Sequence, residues 1–558
     1  MAISSLKVPV SKPKAAVNKD EKGKEEISIF EYEIPETLEE ALEKYPYLKT
    51  YIESLETQPI YVNDPSLEIG SDKPNVIYPL SYGAFVHISV GDEMGKYNLI
   101  EPKKPDRKIL DQVEDAIAKL VSEREVSIRD EREKERALVR LFREAIRRKM
   151  LKIPPDVQMD ALYHFLREKV GHGVLDDFLA DPWLEDVSVP GEGKVYVYHK
   201  FFGSLESNIE LSKEDTNNLL RTLSERYGKV LSFTHPIIDV HLPDGSRFNI
   251  VFGEDISLKG SNFTIRKFPK EPISVAHLIR WSTFSPELGA YMWILLEVGV
   301  SCFICGETAS GKTTTLNAFA GMIRPNAKIV SIEETPEVNL PHRNWVREVT
   351  RMHTGSMVTM FDLLKAALRQ RPDQIIVGEI RGEEGRIAFQ AIETGHPVMS
   401  TIHAGDLEQL FQRLTSDPIN VPKAHISGLN LAVFQNRIKR GTKLVRRVTS
   451  VNEILGYDLE EGSLNYLPTF IYDADRDHLR FTGTSFMMET KVLPFRGWTK
   501  DRLPDLYDEL RRRAEILKIL ADKNPRFRNV WRTVIEVENR GFDAVYWKIK
   551  EGKCDWLS

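Results

Sequence analysis

The sequence predicts an α/β protein: a three-layer α/β domain, preceded by a mixed α+β domain and a small helical N-terminal region. Three observations carry this. A glycine loop, Gly306–Glu307–Thr308–Ala309–Ser310–Gly311–Lys312–Thr313, fits G-x-x-x-x-G-K-[S/T] and lies between an apolar run, 298–305, and a helix-favouring run from Thr314 to Ile323. Apolar strand-like runs and amphipathic helical stripes then alternate as far as His403, the pattern of helices packed on both faces of a parallel sheet. From Pro154 to Phe268 the texture is one of short mixed elements with turn signals between them. In a strand–loop–helix context the N–H groups of the loop and of the helix N-terminus converge on a phosphate chain. Lys312 then reaches the β- and γ-phosphates, and the Thr313 hydroxyl holds Mg²⁺.

Composition bounds the rest. At 558 residues, 41% of them apolar, the chain has room for roughly three or four packed domains. Its 77 basic and 83 acidic residues leave a net charge of −6, so no global electrostatic case for nucleic acid exists. Of the three cysteines, Cys302 and Cys305 fall in the predicted buried strand and Cys554 is isolated. With no second C-x-x-C, no zinc is expected, and a cytoplasmic, reducing compartment fits. The N-terminus has no apolar core long enough for a signal peptide. The apolar stretch Tyr291–Cys305 is interrupted by Glu297 and Gly299 and is too short to span a bilayer, so any membrane contact is peripheral.

Taken in order, residues 1–27 read as a disordered, Lys/Glu/Pro-rich tail. Residues 28–150 read as a helical adaptor region, with a short helix over 37–54, two strands at 78–88 and 96–100, and strongly helical sequence over 109–150. One face of that last run carries Leu138, Leu141, Phe142, Ala145 and Ile146. The other is rich in arginine, which suits a solvated face or a patch for acidic lipid or a partner. Residues 151–268 are the mixed α+β domain, with Leu242–Arg247 as a turn between two strands. Residues 269–274 are a linker, and 275–558 hold the nucleotide-binding domain with a C-terminal helical extension. Within it, 327–332 is a strand ending in Glu333–Glu–Thr–Pro–Glu337, and 374–379 is a strand ending in Glu379, the carboxylate a Mg²⁺ site needs. A helical stripe over 360–368, a helix over 385–394 and a strand over 398–402 running into His403 complete the alternation.

Five motifs together resemble the secretion-superfamily motor ATPases of type II secretion, type IV pili and archaella. They are the loop 306–313; the acidic box 332–337; the Walker B segment 375–381; the histidine box 394–403; and the arginine-bearing 242–247. The resemblance implies that the three-layer domain is a RecA-like P-loop αβα ATPase domain binding ATP and Mg²⁺, and that 151–268 caps the nucleotide. It implies that Glu337 is the general base, that Glu379 holds Mg²⁺, and that His403 and His396 sense the γ-phosphate. Arg247 and Arg266 are implied as arginine fingers, although each also suits an ordinary ion pair. Residues 412–422 and 446–454 are similar to the archaeal branch, and 473–477 with 482–485 to the archaellum motor. The implied machine is a cytoplasmic homo-hexamer at the inner face of the membrane, working with a polytopic membrane platform protein and accessory archaellum or pilus proteins. A nucleic-acid translocase and a nucleotide-gated scaffold are the rival readings. The first is disfavoured by the charge balance; the second has no use for Glu337.

Overall fold

The computed structural model describes the chain except residues 1–34, 64, 66–73, 81–82, 92–93, 124–130, 170, 243–244, 269–270, 352–356, 442, 459–462, 524, 555 and 557–558. The expected tail 1–27, residues 269 and 270 of the expected linker, and Pro243 and Asp244 of the expected turn lie outside the described residues. The chain forms two compact units, Met1–Lys270 and Glu271–Ser558.

Among the described residues the first unit is built on ten strands: β1 (Ile60–Tyr61), β2 (Asn75–Pro79), β3 (Phe85–Ser89), β4 (Gly95–Ile100), β5 (Leu184–Val189), β6 (Gly193–His199), β7 (Gly203–Leu211), β8 (Ile237–His241), β9 (Arg247–Val251) and β10 (Asn262–Arg266). They form one sheet in the order β1-β2-β3-β4-β7-β6-β5-β10-β9-β8. Alternation does the sorting: Val187 and Val189, Val195 and Val197, Phe248 and Ile250, Phe263 and Ile265 all face one core, against Leu220 and Leu223 of the helix Lys213–Arg226. Residues 28–150 supply β1–β4 to this sheet, with β4 parallel to β7, so the boundary placed at residue 150 does not interrupt it. The join is chemical as well as apolar. Buried Asp181 accepts hydrogen bonds from the Tyr78 and Tyr97 hydroxyls, at 2.7 and 2.9 Å, and from the Trp183 N–H at 2.8 Å.

The helical sequence over 109–150 becomes two helices, Arg107–Ser122 and Glu131–Arg147. With the helix Pro155–Lys169 they form a separate core in which Leu138, Leu141, Phe142 and Ala145 are buried, the apolar stripe expected of them. Arg136, Arg140, Arg143 and Arg147 lie on the exposed face.

Among the described residues the second unit contains nine strands: β11 (Cys302–Cys305), β12 (Ile329–Glu333), β13 (Trp345–Val349), β14 (Gln374–Val377), β15 (Val398–Ile402), β16 (Leu431–Arg440), β17 (Lys443–Asp458), β18 (Ser463–Asp473) and β19 (His478–Phe481). Their order is β13-β12-β14-β15-β11-β16-β17-β18-β19. The run from β13 to β16 is parallel, and β17–β19 continue it antiparallel. Side chains of each central strand part between two cores. Cys302 and Ile304 join the core of the helices Pro286–Val298 and Lys312–Ala320; Phe303 and Cys305 join that of the helices Met360–Ala367 and Glu384–Glu393. A sheet buried on both faces is the middle of three layers, the RecA-like αβα architecture that the motifs imply.

The apolar stretch 291–305 is half helix and half strand. Ser285 caps the helix Pro286–Val298, Gly299 stops it at φ +75°, and the strand begins only at Cys302. The break falls at Gly299, one of the two residues that interrupt the apolar stretch in the sequence. Burial pushes the Cys302 thiol up to about 12, which leaves it inert at neutral pH. The C-terminal extension is fastened to the same helix. Arg513 pairs with Glu297 at 2.5 Å and with Glu509 at 2.6 Å, and Arg496 pairs with Glu509 at 2.5 Å. Among the described residues no helix is long and apolar enough to cross a membrane.

Candidate functional site

Because β11, β12, β14 and β15 are parallel, their carboxyl ends share one sheet edge, and the segments that leave those ends are gathered there. The glycine loop leaves β11, Glu333 ends β12, Glu379 lies just past β14 and His403 just past β15.

The loop is tightly shaped. Gly306 donates its N–H to the Ile402 carbonyl at 3.3 Å. A Cβ at Gly306 would stand 2.1 Å from the Gln435 carbonyl oxygen, and one at Gly311 would stand 2.8 Å from Gln435 Nε2. Gly311 has φ +94° and Ala309 has φ +61°, the second an uncommon conformation for a residue with a side chain. Glu307, Thr308 and Ala309 are exposed at the tip, whereas Ser310 is buried and its hydroxyl has no hydrogen-bond partner. Lys312 is buried at the start of its helix and donates from Nζ to the Glu307 carbonyl at 2.8 Å. Burial lowers its pKa, while the charges of Glu379 and Glu337 act in the opposite direction. The lysine therefore shares its surroundings with both carboxylates named from sequence. Thr313 and Thr314 come next on the first helical turn, both partly buried.

Glu333 is buried to 1% exposure and was not among the residues expected to act. Its Oε1 accepts from the N–H groups of Glu337 and Val338, at 2.7 and 2.8 Å, folding the acidic box back on the strand end. Asn317, on the helix that Lys312 begins, donates from Nδ2 to the Glu337 carbonyl at 3.0 Å. The predicted base is thus fixed to both the strand and the helix. Burial raises the Glu333 carboxyl from 4.5 to about 7. Glu379 lies 2.9 Å from His403 Nε2 and 2.6 Å from Arg381 Nη2. Burial, then the Lys312 charge, lowers the His403 pKa, so the imidazole is neutral at pH 7.

Not every expected residue arrives. His396 precedes β15 and His403 lies beyond it, which separates the two by roughly 20 Å along the strand. His396 sits by Thr394, with 3.2 Å between Nδ1 and Oγ1, at the opposite sheet edge. Its expected place as a γ-phosphate sensor is therefore corrected: two histidines cannot meet when a whole strand lies between them. Arg247 and Arg266 belong to the first unit. They are directly opposite on β9 and β10, both exposed, with Arg247 3.3 Å from Asp239 and Arg266 opposite Asp186 in the register. The neighbouring carboxylates offset what would otherwise be a repulsive cross-strand pair.

Beside the loop opens a cleft of about 410 Å³ lined by Gly306, Thr308, His403, Gln409, Arg413 and Arg437. Arg413 donates to the His403 carbonyl at 3.0 Å; it belongs to the archaeal-like stretch 412–422, whereas Arg437 lies in no motif. Among the described residues no three His, Cys, Asp or Glu side chains are gathered to hold a metal by themselves. The donor set of Thr313 and Glu379 instead suits a hard cation that takes its other ligands from phosphate and water. Loop N–H groups, Lys312 and the unpartnered Ser310 hydroxyl suit the phosphate.

The chain is similar to known proteins over the same region. The family model described as "Type II/IV secretion system protein" matches residues 207–449. An uncharacterized protein of Methanocaldococcus jannaschii is 41% identical over 515 residues, 86% of this chain and 93% of that one. Protein VirB11 of Agrobacterium fabrum is 26% identical over 43% of this chain and 78% of its own. The solved structure of the Legionella pneumophila ATPase DotB is 17% identical over 66% of this chain and 92% of its own, with a TM-score of 0.37.

Proposed function

The chain belongs to the type II/IV secretion system protein family, and we propose that it is an ATP-hydrolysing motor of such a machine. The observation that carries this is the gathering of Lys312, Glu337 and the Glu379–His403 pair at one sheet edge beside a cleft of nucleotide size. A bare phosphate-binding scaffold needs the loop; only hydrolysis gives a use to a second carboxylate on a main chain held by Glu333 and Asn317.

In this reading the loop N–H groups and Lys312 hold the β- and γ-phosphates, and Thr313 and Glu379 hold Mg²⁺. A bound Mg²⁺ supplies charge neutralisation at the transferred phosphoryl group. Glu337 orients the attacking water and accepts its proton. His403, neutral and 2.9 Å from Glu379, lines the cleft and is placed to respond to the γ-phosphate. Arg247 and Arg266, from the first unit of the same or a neighbouring chain, supply positive charge to the transition state. Turnover should vanish in Lys312→Ala with loss of nucleotide affinity, and in Glu337→Gln with affinity kept; near-native hydrolysis by Glu337→Gln removes it as the base. Arg247→Ala should lower turnover more than affinity, and an unchanged rate removes the finger role.

The finer reading is a cytoplasmic homo-hexamer at the inner face of the membrane, moving an archaellum through a polytopic platform protein. It is supported by the similarity of 473–477 and 482–485 to archaellum motors and by the archaeal relative. Pilus assembly or secretion is supported equally, through the similarity to VirB11. Deleting the gene separates them: loss of swimming with pili intact supports the archaellum, and the reverse outcome supports the pilus.

A further inference from the structure

We infer that Gln435 is the positioning residue that sets the shape of the phosphate loop, an inference that rests on the loop holding a nucleotide. β16 runs parallel to β11 with Phe434 opposite Cys305, so the next residue on each strand, Gln435 and Gly306, are neighbours. The pairing of β16 with β17 shifts register between Phe434 and Gln435, a bulge at the position where the strand meets the loop. Gln435 is buried to 1% exposure. Its Oε1 accepts from the Thr315 hydroxyl at 2.6 Å, and its Nε2 donates to the Ser310 carbonyl at 2.8 Å.

One side chain therefore ties the second half of the loop to the first turn of the helix beyond it. The Ser310 carbonyl and the Gly311 N–H belong to one trans peptide and point in opposite directions. Holding the carbonyl on Gln435 turns that N–H to the other side of the loop, the side on which a phosphate would lie. Arg446, on the facing strand β17, donates from Nε to the Ala309 carbonyl at 3.2 Å and holds the preceding peptide while Ala309 keeps φ +61°. Both loop glycines answer to the same residue. The Gln435 carbonyl leaves no room for a Cβ at 306, and its amide leaves none at 311.

The test measures affinity for a fluorescent ATP analogue with Mg²⁺ in the full chain, with melting temperature alongside. Gln435→Leu keeps much of the volume and removes both hydrogen bonds. Gln435→Glu keeps the acceptor for Thr315 and sets a carboxylate oxygen against the Ser310 carbonyl. Each should bind about tenfold more weakly, the size expected from losing one or two buried hydrogen bonds. Thr315→Val should lose less, and the double variant Thr315→Val/Gln435→Leu should bind no more weakly than Gln435→Leu alone, since both act through one contact. Thr533→Val removes a buried hydroxyl elsewhere in the same unit and should leave affinity unchanged. Folded Gln435 variants that bind within twofold of the wild type overturn the inference, as does a loss of the same size in Thr533→Val. If Gln435→Leu does not fold, Gln435→Glu decides. Failure of the wild-type chain to bind the analogue overturns the nucleotide reading and this inference with it, and so is distinct from failure of the variants alone.

Discussion

Replacing Glu333 with glutamine should make the second unit more stable above neutral pH, although it removes a carboxylate from the edge of the site. Glu333 is buried, and Oε1 alone has near partners, the N–H groups of Glu337 and Val338. Oε2 has no hydrogen-bond partner, and Arg347 Nε stays 3.9 Å away. Burial outweighs these, and the carboxyl rises from 4.5 to about 7. A raised acid binds its proton more tightly when folded. Its contribution is fully present below pH 4.5 and is lost as pH rises to about 7, at about 1.4 kcal/mol per pH unit, some 3 kcal/mol in all. Glutamine keeps the Oε1 acceptor and cannot ionise, at the cost of about 1 kcal/mol or more for a buried NH₂ without a partner. The variant should gain about 2–3 kcal/mol on the wild type between pH 5 and pH 8. Urea titrations of both proteins across that range, followed by tryptophan fluorescence, measure the difference, in which the other titrating groups cancel. Parallel curves would show that Glu333 is ionised at no cost, and the reasoning from burial would fail.

Three more predictions concern the loop, the histidine and the extension. Gly311→Ala places a Cβ 2.8 Å from Gln435 Nε2 at φ +94°, a strain of roughly 1–3 kcal/mol, and should weaken nucleotide binding by tenfold or more on isothermal titration. Gly306→Ala, which meets main chain at 2.1 Å, should be the worse of the two. Since the His403 pKa is lowered, hydrolysis should hold through neutral pH and fall only below the ordinary histidine value of about 6.5. His403→Asn should lose that acid limb, and superimposable pH–rate profiles would exclude the histidine. Arg513→Ala leaves Glu297 and Glu509 to share Arg496 alone, a loss of about 3 kcal/mol that calorimetry should record as a melting temperature lower by roughly 5–10 °C. Adding Glu297→Gln alone, which leaves Arg496 paired with Glu509, should recover part of it.

The features legible in the order of residues are the local ones. Gly306–Thr313 between a strand and a helix specifies a phosphate loop, because all its donors come from eight consecutive residues. Glu333, Glu379 and His403 could be placed at strand ends, because strand direction and a parallel sheet fix which end they share. The three layers were legible in the alternation of apolar runs and stripes. The tertiary fold settled whatever depends on residues far apart in the chain. Gln435 lies 125 positions beyond Ser310, and no spacing rule connects them until β16 is laid beside β11. Arg413 and Arg437 reach the cleft only through the folding of separate elements. His396 shows the converse, since its nearness to His403 in sequence is undone by the length of one strand. Likewise the strands of 60–100 join the sheet of 184–266 because Asp181 and the apolar side chains around it need Tyr78 and Tyr97. Local hydrogen bonding and periodicity are written in neighbouring residues. Burial, pKa shifts and the fastening of a loop are set by what packs against it, and that is a property of the folded chain as a whole.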